Sequence, residues 1–448
     1  MNLNDSQNNQ PWNRRLAKNI QDILRWLHPG LGVKRWVLVV FIGTTFLAMG
    51  FALFVLDVYR QSPDTWWLPI LSAASLQTLP RLVRIIIFVL LGVGGLSVGI
   101  ININRSILGP FIRPGSQVVD SLERHRAKKQ GPNIVTVGGG HGLATLLRGL
   151  KLVTRNLTAV VSVADDGGSS GRIRETLGIL PPGDVRNCLA ALSNDEELLT
   201  QLFQYRFSQG NGSLEGHSFG NLFISVLADI TGSFENAIAE SGRVLAVYGR
   251  VIPSTLENLV LTADIAEADS GKTIRVEGES QIPEVEGVIK RVMLKPEKPA
   301  ANPQAIQAIL QADMIVTGPG SLYTSILPNL LVPDISAAMR STQALKVFVC
   351  NLATQKGETE KFTCGDHLQV IENHLRGGLF DIVVVNDMPP QQFNSRVKGV
   401  EIDPQLSVKY NVYAADLVDR EFPWRHDSSR LTEVLVDLLA ERTGPLII

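Results

Sequence analysis

Residues 133–150 read NIVTVGGGHGLATLLRGL: a β-branched run, then Gly138, Gly139, Gly140 and Gly142, then a helical pattern. Glycines let a backbone approach an anion closely, and the unpaired N–H groups at a helix start point towards it. His141 lies inside this turn. Leu143 stands where the strict dinucleotide fingerprint has its third glycine, so only the strand–turn–helix order of that fingerprint is kept. Taken alone, the stretch fits either a ligand-binding turn or a tight structural one.

Four more turns strengthen the ligand reading. Residues 157–172, LTAVVSVADDGGSSGR, end a second apolar run on Asp165 and Asp166, suited to ribose hydroxyls, to Mg²⁺ or to capping a helix. Gly168, Ser169 and Ser170 follow in a hydroxyl-rich turn able to wrap an anion. In residues 180–192, LPPGDVRNCLAAL, Pro181 and Pro182 delay the helix. Asp184 fits a cap or a ligand contact, with Asn187 beside it. Arg186 fits a phosphate clamp or a partner for Asp165 or Asp166. Residues 216–222, GHSFGNL, place His217, Ser218 and Asn221 ahead of an apolar helix, with His217 a candidate general base or a cap. Asp165, Asp166 and His217 are the candidate catalytic groups, and Asp165 with Asp166 the candidate Mg²⁺ ligands. Residues 314–333, MIVTGPGSLYTSILPNLLVP, repeat the strand–glycine turn–helix pattern with Gly318, Pro319, Gly320, Ser321 and Thr324. This second turn is expected to face the first across the strand ends, where open α/β sheets bind ligands.

The rest of the C-terminal part alternates in the same way. Strands are expected at 134–137, 157–163, 314–317, 347–351 and 382–385. Helices are expected at 144–153, 185–192, 222–230, 236–244, 303–311, 367–374 and 428–440. That alternation predicts a Rossmann-like α/β domain with a doubly wound, mostly parallel sheet. Between Gly249 and Pro296 short polar-alternating segments predict a small antiparallel insertion. Ser270-Gly271-Lys272-Thr273 lacks the first glycine of a phosphate loop and reads as a hairpin turn. His367 and His374 lack further ligands for zinc.

Two apolar runs precede this domain. Trp36 to Leu56 and Ile85 to Ile103 are each uncharged and long enough to cross a hydrocarbon core of ~30 Å as a helix. Arg14, Arg15, Lys18, Arg25, Lys34 and Arg35 precede the first; Arg105, Arg113, Arg124, Arg126, Lys128 and Lys129 follow the second. The positive-inside rule puts both ends and the main domain in the cytoplasm, as a multi-pass protein of the cytoplasmic membrane. The expected order is a cytoplasmic segment 1–35, a transmembrane hairpin 36–103, a basic linker 104–132 and a ligand-binding domain 133–448. With 43 acidic and 42 basic residues in 448, the chain has no global charge footprint for nucleic acid. Cys188, Cys350 and Cys364 lack metal or redox spacing and read as reduced thiols.

Six longer motifs carry a family resemblance. GGGHGLATLLRGLK, VADDGGSSGRIRETLGILPPGDVRNCLAAL, GHSFGNLF, IPSTLE, GPGSLYTSILPNLLVP and NLATQKGETEKFTCGDH, between about Asn133 and Asp387, resemble the gluconeogenesis factor (YvcK-type) family of the CofD-like superfamily. The resemblance implies a protein that binds UDP-sugars such as UDP-N-acetylglucosamine. It also implies a regulatory role in cell shape and envelope-precursor balance during gluconeogenic growth, with envelope-synthesis proteins as partners and a homodimer as candidate assembly. The superfamily's transferases supply the alternative: transfer of a phospholactyl group from a guanine nucleotide donor to a deazaflavin. Three features depart from the family pattern: His141 replaces a usual threonine, Phe362 replaces a common tyrosine, and many members lack the apolar hairpin. Arg425, His426 and Asp427 match a family RHD feature, which makes Arg425 the expected phosphate contact from outside the glycine turns.

Overall fold

The computed structural model describes residues 131–443 except 195, 209–211, 268–270 and 389–397, together with isolated positions between 44 and 94. The expected membrane hairpin, the segment before it and nearly all of the basic linker lie outside the described residues. Among the described residues no single helix is long and apolar enough to cross a membrane. The chain divides into two compact units, residues 1–126 and 127–448, and the second of them holds both β-sheets.

The centre of this second unit is formed by two of the expected strands, β1 (Ile134–Gly138) and β7 (Met314–Thr317), which pair in parallel with Ile134 opposite Met314. Every residue of both strands is buried, as expected of β-branched runs covered on both faces. β2 (Leu157–Val161) and β3 (Arg250–Pro253) extend the sheet on the β1 side. β8 (Leu345–Val349), β9 (Ile382–Asn386) and β10 (Asn411–Ala415) extend it on the β7 side. The result is a seven-stranded parallel sheet of order β10-β9-β8-β7-β1-β2-β3. Strand order therefore reverses between β1 and β7, which opens a crevice at their C-terminal ends.

β4 (Val260–Glu267), β5 (Thr273–Glu277) and β6 (Gly287–Lys295) form a separate antiparallel sheet of order β5-β4-β6. The insertion is therefore smaller than the 249–296 span expected, because Arg250–Pro253 pairs in parallel with β2 as the edge of the main sheet. Its buried Val251 and Ile252 were legible as a strand only once β2 was available to pair with them. Ala266 opposes Thr273, which puts Gly271 in a hairpin connection.

The helices that frame the crevice are α1 (Gly140–Leu150), α2 (Gly168–Leu177) and α3 (Gly183–Leu192). α4 (Glu196–Gln204), α5 (Phe219–Thr231) and α6 (Phe234–Val244) pack outside them. α7 (Pro303–Leu310) leads into β7, and a π-helical turn at Leu322–Ile326 follows it, continuing into α8 (Leu327–Leu330) and α9 (Pro333–Ser341). The glycine-serine run at 167–171, expected as a loop, is the first turn of α2 instead. α10 (Cys364–Leu375) begins with a capping box between Thr363 and Asp366. α11 (Leu406–Lys409) and the terminal α12 (Ser428–Thr443) complete the unit.

The final helix lies directly on α1. A Cβ at Gly149 would stand 2.0 Å from the Thr432 hydroxyl and 2.2 Å from the Ser428 carbonyl oxygen. Gly149→Ala should therefore destabilise the domain by about 1–3 kcal/mol, the usual cost of overpacking. The check is a lowered chemical denaturation midpoint; an unchanged one would disprove the contact between α1 and α12.

Candidate functional site

The two glycine turns meet at the switch point. A Cβ at Gly142 would approach the Pro319 carbonyl oxygen to 2.5 Å, and one at Gly320 would lie 3.4 Å from the Gly139 carbonyl oxygen. Gly140 takes φ +66°, a left-handed value that starts α1 without a side-chain cap. The cap comes from a distance instead. Asp184, in the first turn of α3, accepts the Gly140 N–H at 2.9 Å.

Over these turns opens a cleft of about 690 Å³. Its floor holds Gly139, Gly140, His141 and Gly142 from the first turn and Pro319, Gly320 and Ser321 from the second. Asp165, Asp184, Asn187 and Thr324 line it as well, and Arg425 reaches in from the segment before α12. These residues, drawn from both halves of the domain, are ones that the sequence placed in a single site. Gly138 and Gly318 lie just beneath, where the Gly138 carbonyl accepts the Asn329 side-chain amide at 2.9 Å.

Other expected site residues stand elsewhere. Asp166 turns away from the cleft: its two carboxylate oxygens accept the N–H groups of Glu279 at 3.0 Å and Ser280 at 2.9 Å. Phe362 packs edge-on against Tyr323 and His367, with centroids 6.4 and 5.6 Å apart. His217 Nδ1 meets the Ser169 hydroxyl at 3.1 Å, and Ser218 caps α5 through the Asn221 N–H. Gly168, Ser169, Ser170, Arg186 and Asn221 line a second, smaller recess that adjoins the cleft through Asp165, Asp184 and Asn187. Arg186 pairs with neither Asp165 nor Asp166. Its guanidinium donates to Ser218 Oγ at 2.6 Å and Asn187 Oδ1 at 2.9 Å.

The hydroxyls of Ser321 and Thr324, expected to be free donors, are engaged by Glu358, with Thr324 Oγ1 donating at 3.3 Å. A carboxylate at the start of a helical segment satisfies its N-terminal donors and favours the dipole, which is why the loop after β8 tucks Glu358 in here. Glu279 is the other unforeseen group. The Asp166 contact brings the turn after β5 to the cleft, and Glu279 lines its wall. No local motif signals it, because its anchor lies 113 residues away. Glu358, by contrast, falls inside the NLATQKGETEK motif.

The cleft is thus rich in carboxylates. Burial, and after it the charge of Asp165, pushes Asp184 up to about 7. Glu279 is pushed up to about 8, by burial first and then by Asp165, Asp184, Asp166 and Glu358. Burial also raises Glu358. On the basic side, burial lowers His141, with Arg425 adding to the effect, and holds buried His426 down at about 4. Among the described residues, Arg425 is the one arginine or lysine in the lining. The site therefore offers carboxyls of raised proton affinity and a single strong cation.

Comparison with known proteins agrees with this architecture. Residues 134–422 match the family described as 2-phospho-L-lactate transferase CofD. A relative from Nostoc sp. is 45% identical over 384 residues, 84% of this chain and 81% of its own length. The gluconeogenesis factor of Bacillus subtilis is 45% identical over 321 residues, which are 70% of this chain and 99% of that protein. A crystal structure of a UPF0052-family protein from Bacillus halodurans superposes with a TM-score of 0.63 at 42% identity, covering 68% of this chain and 99% of that one.

The raised carboxyls set a pH dependence. Asp184 moves from 3.8 to about 7 on folding and Glu279 from 4.5 to about 8, so both take up protons as the chain folds. Their contribution to stability is present below those lower values and is lost as pH rises through the upper ones. The thermal midpoint should fall between about pH 4 and about pH 8, and Glu279→Gln should flatten that slope. A variant that keeps the wild-type slope would contradict the placement of Glu279 beside Asp165 and Asp184.

Proposed function

The chain belongs to the CofD family, alongside the gluconeogenesis factors, and from that premise we propose that it is a regulatory protein that binds a UDP-sugar in the β1/β7 cleft. The observation that carries this reading is the meeting of two glycine turns at the switch point beneath a cleft of about 690 Å³. That volume falls in the range of cofactor pockets. The ligand's diphosphate lies between the first turn of α1 and Arg425. Its nucleoside and sugar extend along the polar walls given by Asn187, Asn351 and Gln355. UDP-N-acetylglucosamine is the representative ligand, in keeping with a role in cell shape and envelope-precursor balance under gluconeogenic growth.

Mg²⁺ fits this site as a companion of the phosphates. Among the described residues no group of three histidine, cysteine or acidic side chains is arranged to hold a metal ion alone. Asp166 has both oxygens committed to the insertion, so Asp165 is the carboxylate left to contribute. Mg²⁺ is characteristically bound by one or two carboxylates with substrate phosphates and water, which is the donor set available here. The ion would offset repulsion between the acidic wall and the diphosphate.

The first hundred residues anchor this domain to the cytoplasmic membrane in the proposed arrangement, with both termini in the cytoplasm. The Bacillus subtilis protein is matched almost end to end by 70% of this chain.

A transferase is the second reading, favoured by Asp184 and Glu279, whose values near 7 and 8 suit proton exchange at neutral pH. Incubation with a phospholactyl-guanosine donor and a deazaflavin distinguishes the two. Product that disappears in Glu279→Gln would establish the transferase; no product is expected.

Calorimetric titration with UDP-N-acetylglucosamine should give saturable, Mg²⁺-dependent heat, and Arg425→Ala should weaken binding by about tenfold or more, the worth of a charge-assisted contact. Absence of heat with both UDP-N-acetylglucosamine and UDP-glucose would remove the proposal. A membrane fraction free of the full-length chain would remove the anchor.

A further inference from the structure

Behind the Asp165–Asp184 wall lies the second recess, of about 230 Å³. It shares Asp165 and Asp184 with the main cleft but adds a pair of arginines. Two arginines, Arg186 from α3 and Arg206 from the segment after α4, line it together. Among the described residues neither forms an ion pair with a carboxylate. Arg206 donates to the Gly216 carbonyl oxygen at 3.1 Å. Arg186 spends its terminal nitrogens on two neutral acceptors, Ser218 and Asn187.

Arg186 is 8% exposed, and its Nε has no hydrogen-bond partner among the described residues. A buried guanidinium without a directly paired carboxylate is costly, and a like charge beside it adds to the cost, offset in part here by the charges of Asp165 and Asp184. Burial, and after it the Arg206 charge, hold Arg186 below its ordinary value. Such a group is tolerated where a ligand supplies the missing anion.

The third wall supplies donors of another kind. α2 starts at Gly168 behind Gly167, which has no side chain to cap it, and the first-turn N–H groups of a helix lack internal acceptors. Gly167, Gly168, Ser169 and Ser170 all line the recess. The Asn221 side chain faces Ser169 and Ser170, donating at 3.1 and 3.2 Å, which holds both hydroxyls in place. The nearby acids have their own partners: Asp165 accepts the Gly167 N–H at 3.0 Å and Asp184 that of Gly140.

We propose that this recess is a second oxyanion site, which takes a phosphoryl group between Arg186, Arg206 and the first turn of α2, separately from the ligand of the main cleft. The group arrives as inorganic phosphate or as the terminus of a small phosphomonoester. The recess adjoins the cleft through Asp165, Asp184 and Asn187, so an occupant there contacts the same two acids from the opposite side.

The test is calorimetric titration of the full-length chain with inorganic phosphate in a phosphate-free buffer. Saturable binding at millimolar concentration or below is expected. Arg206 is exposed, so Arg206→Ala should leave the thermal midpoint unchanged while weakening phosphate binding by about tenfold. Arg186→Gln should abolish it. UDP-N-acetylglucosamine binding should persist in Arg206→Ala and in saturating phosphate. Glycerol 3-phosphate binding more tightly than phosphate identifies an organic monoester as the source; equal or weaker binding identifies the free ion. The site is overturned by an absence of saturable phosphate binding, by wild-type affinity in Arg206→Ala, or by one-for-one displacement of phosphate by the UDP-sugar. Failure of the UDP-sugar alone to bind, with phosphate binding intact, removes the function proposed for the main cleft and leaves this one standing.

Discussion

Backbone touches backbone where β1 and β7 end, and the rest of the domain is organised around that approach. Adjacent parallel strands leave the sheet here towards opposite halves of the fold, one into α1 and the other into the π-helical turn. Their turns can only pack if Gly142 carries no side chain, since a Cβ there would run into the Pro319 carbonyl. The crevice, the convergence of residues far apart in sequence and the long-range cap from Asp184 all follow from it. A larger residue at Gly142 would close the crevice.

The electrostatics divide along the wall that Asp165 and Asp184 make. On one side the neighbouring acids raise the proton affinity of Asp184 and Glu279, and Arg425 stands against them. On the other side two arginines face each other without a carboxylate partner. Neither environment is stable in isolation at neutral pH, because each concentrates charge of one sign in partly buried space. Held back to back they moderate each other, which is consistent with Asp165 and Asp184 both favouring the charged form of Arg186.

Much of this was legible in the sequence because it depends on local rules. β-branched runs ending in glycine mark β1 and β7, and their burial on both faces removes the alternation that an edge strand shows. Gly139, Gly140, His141, Gly142, Asp165, Asp184, Asn187 and Arg425 lie together as expected. What escaped depends on partners distant in sequence. Asp165 and Asp166 look equivalent side by side, yet Asp165 lines the cleft while the Asp166 oxygens are held by the Glu279 and Ser280 amides of the insertion. Ser321 and Thr324 look like free donors until Glu358 folds onto them. Phe362 sits in a motif that suggests ligand stacking, but the Tyr323 and His367 rings claim its edges. Arg250–Pro253 is too short to declare itself a strand without β2 beside it.

The Asp166 carboxylate is a rivet between two sheets. It fixes the Glu279 and Ser280 amides, and Gly278, at φ +108°, passes so close that a Cβ would lie 2.7 Å from its oxygen. Asp165 is the next residue along. A shift of the β2–α2 connection at Asp165 therefore drags the β5–β6 corner with it, turning the small sheet into a pointer whose base is seated at the cleft and whose far strand, β5, is open to solvent.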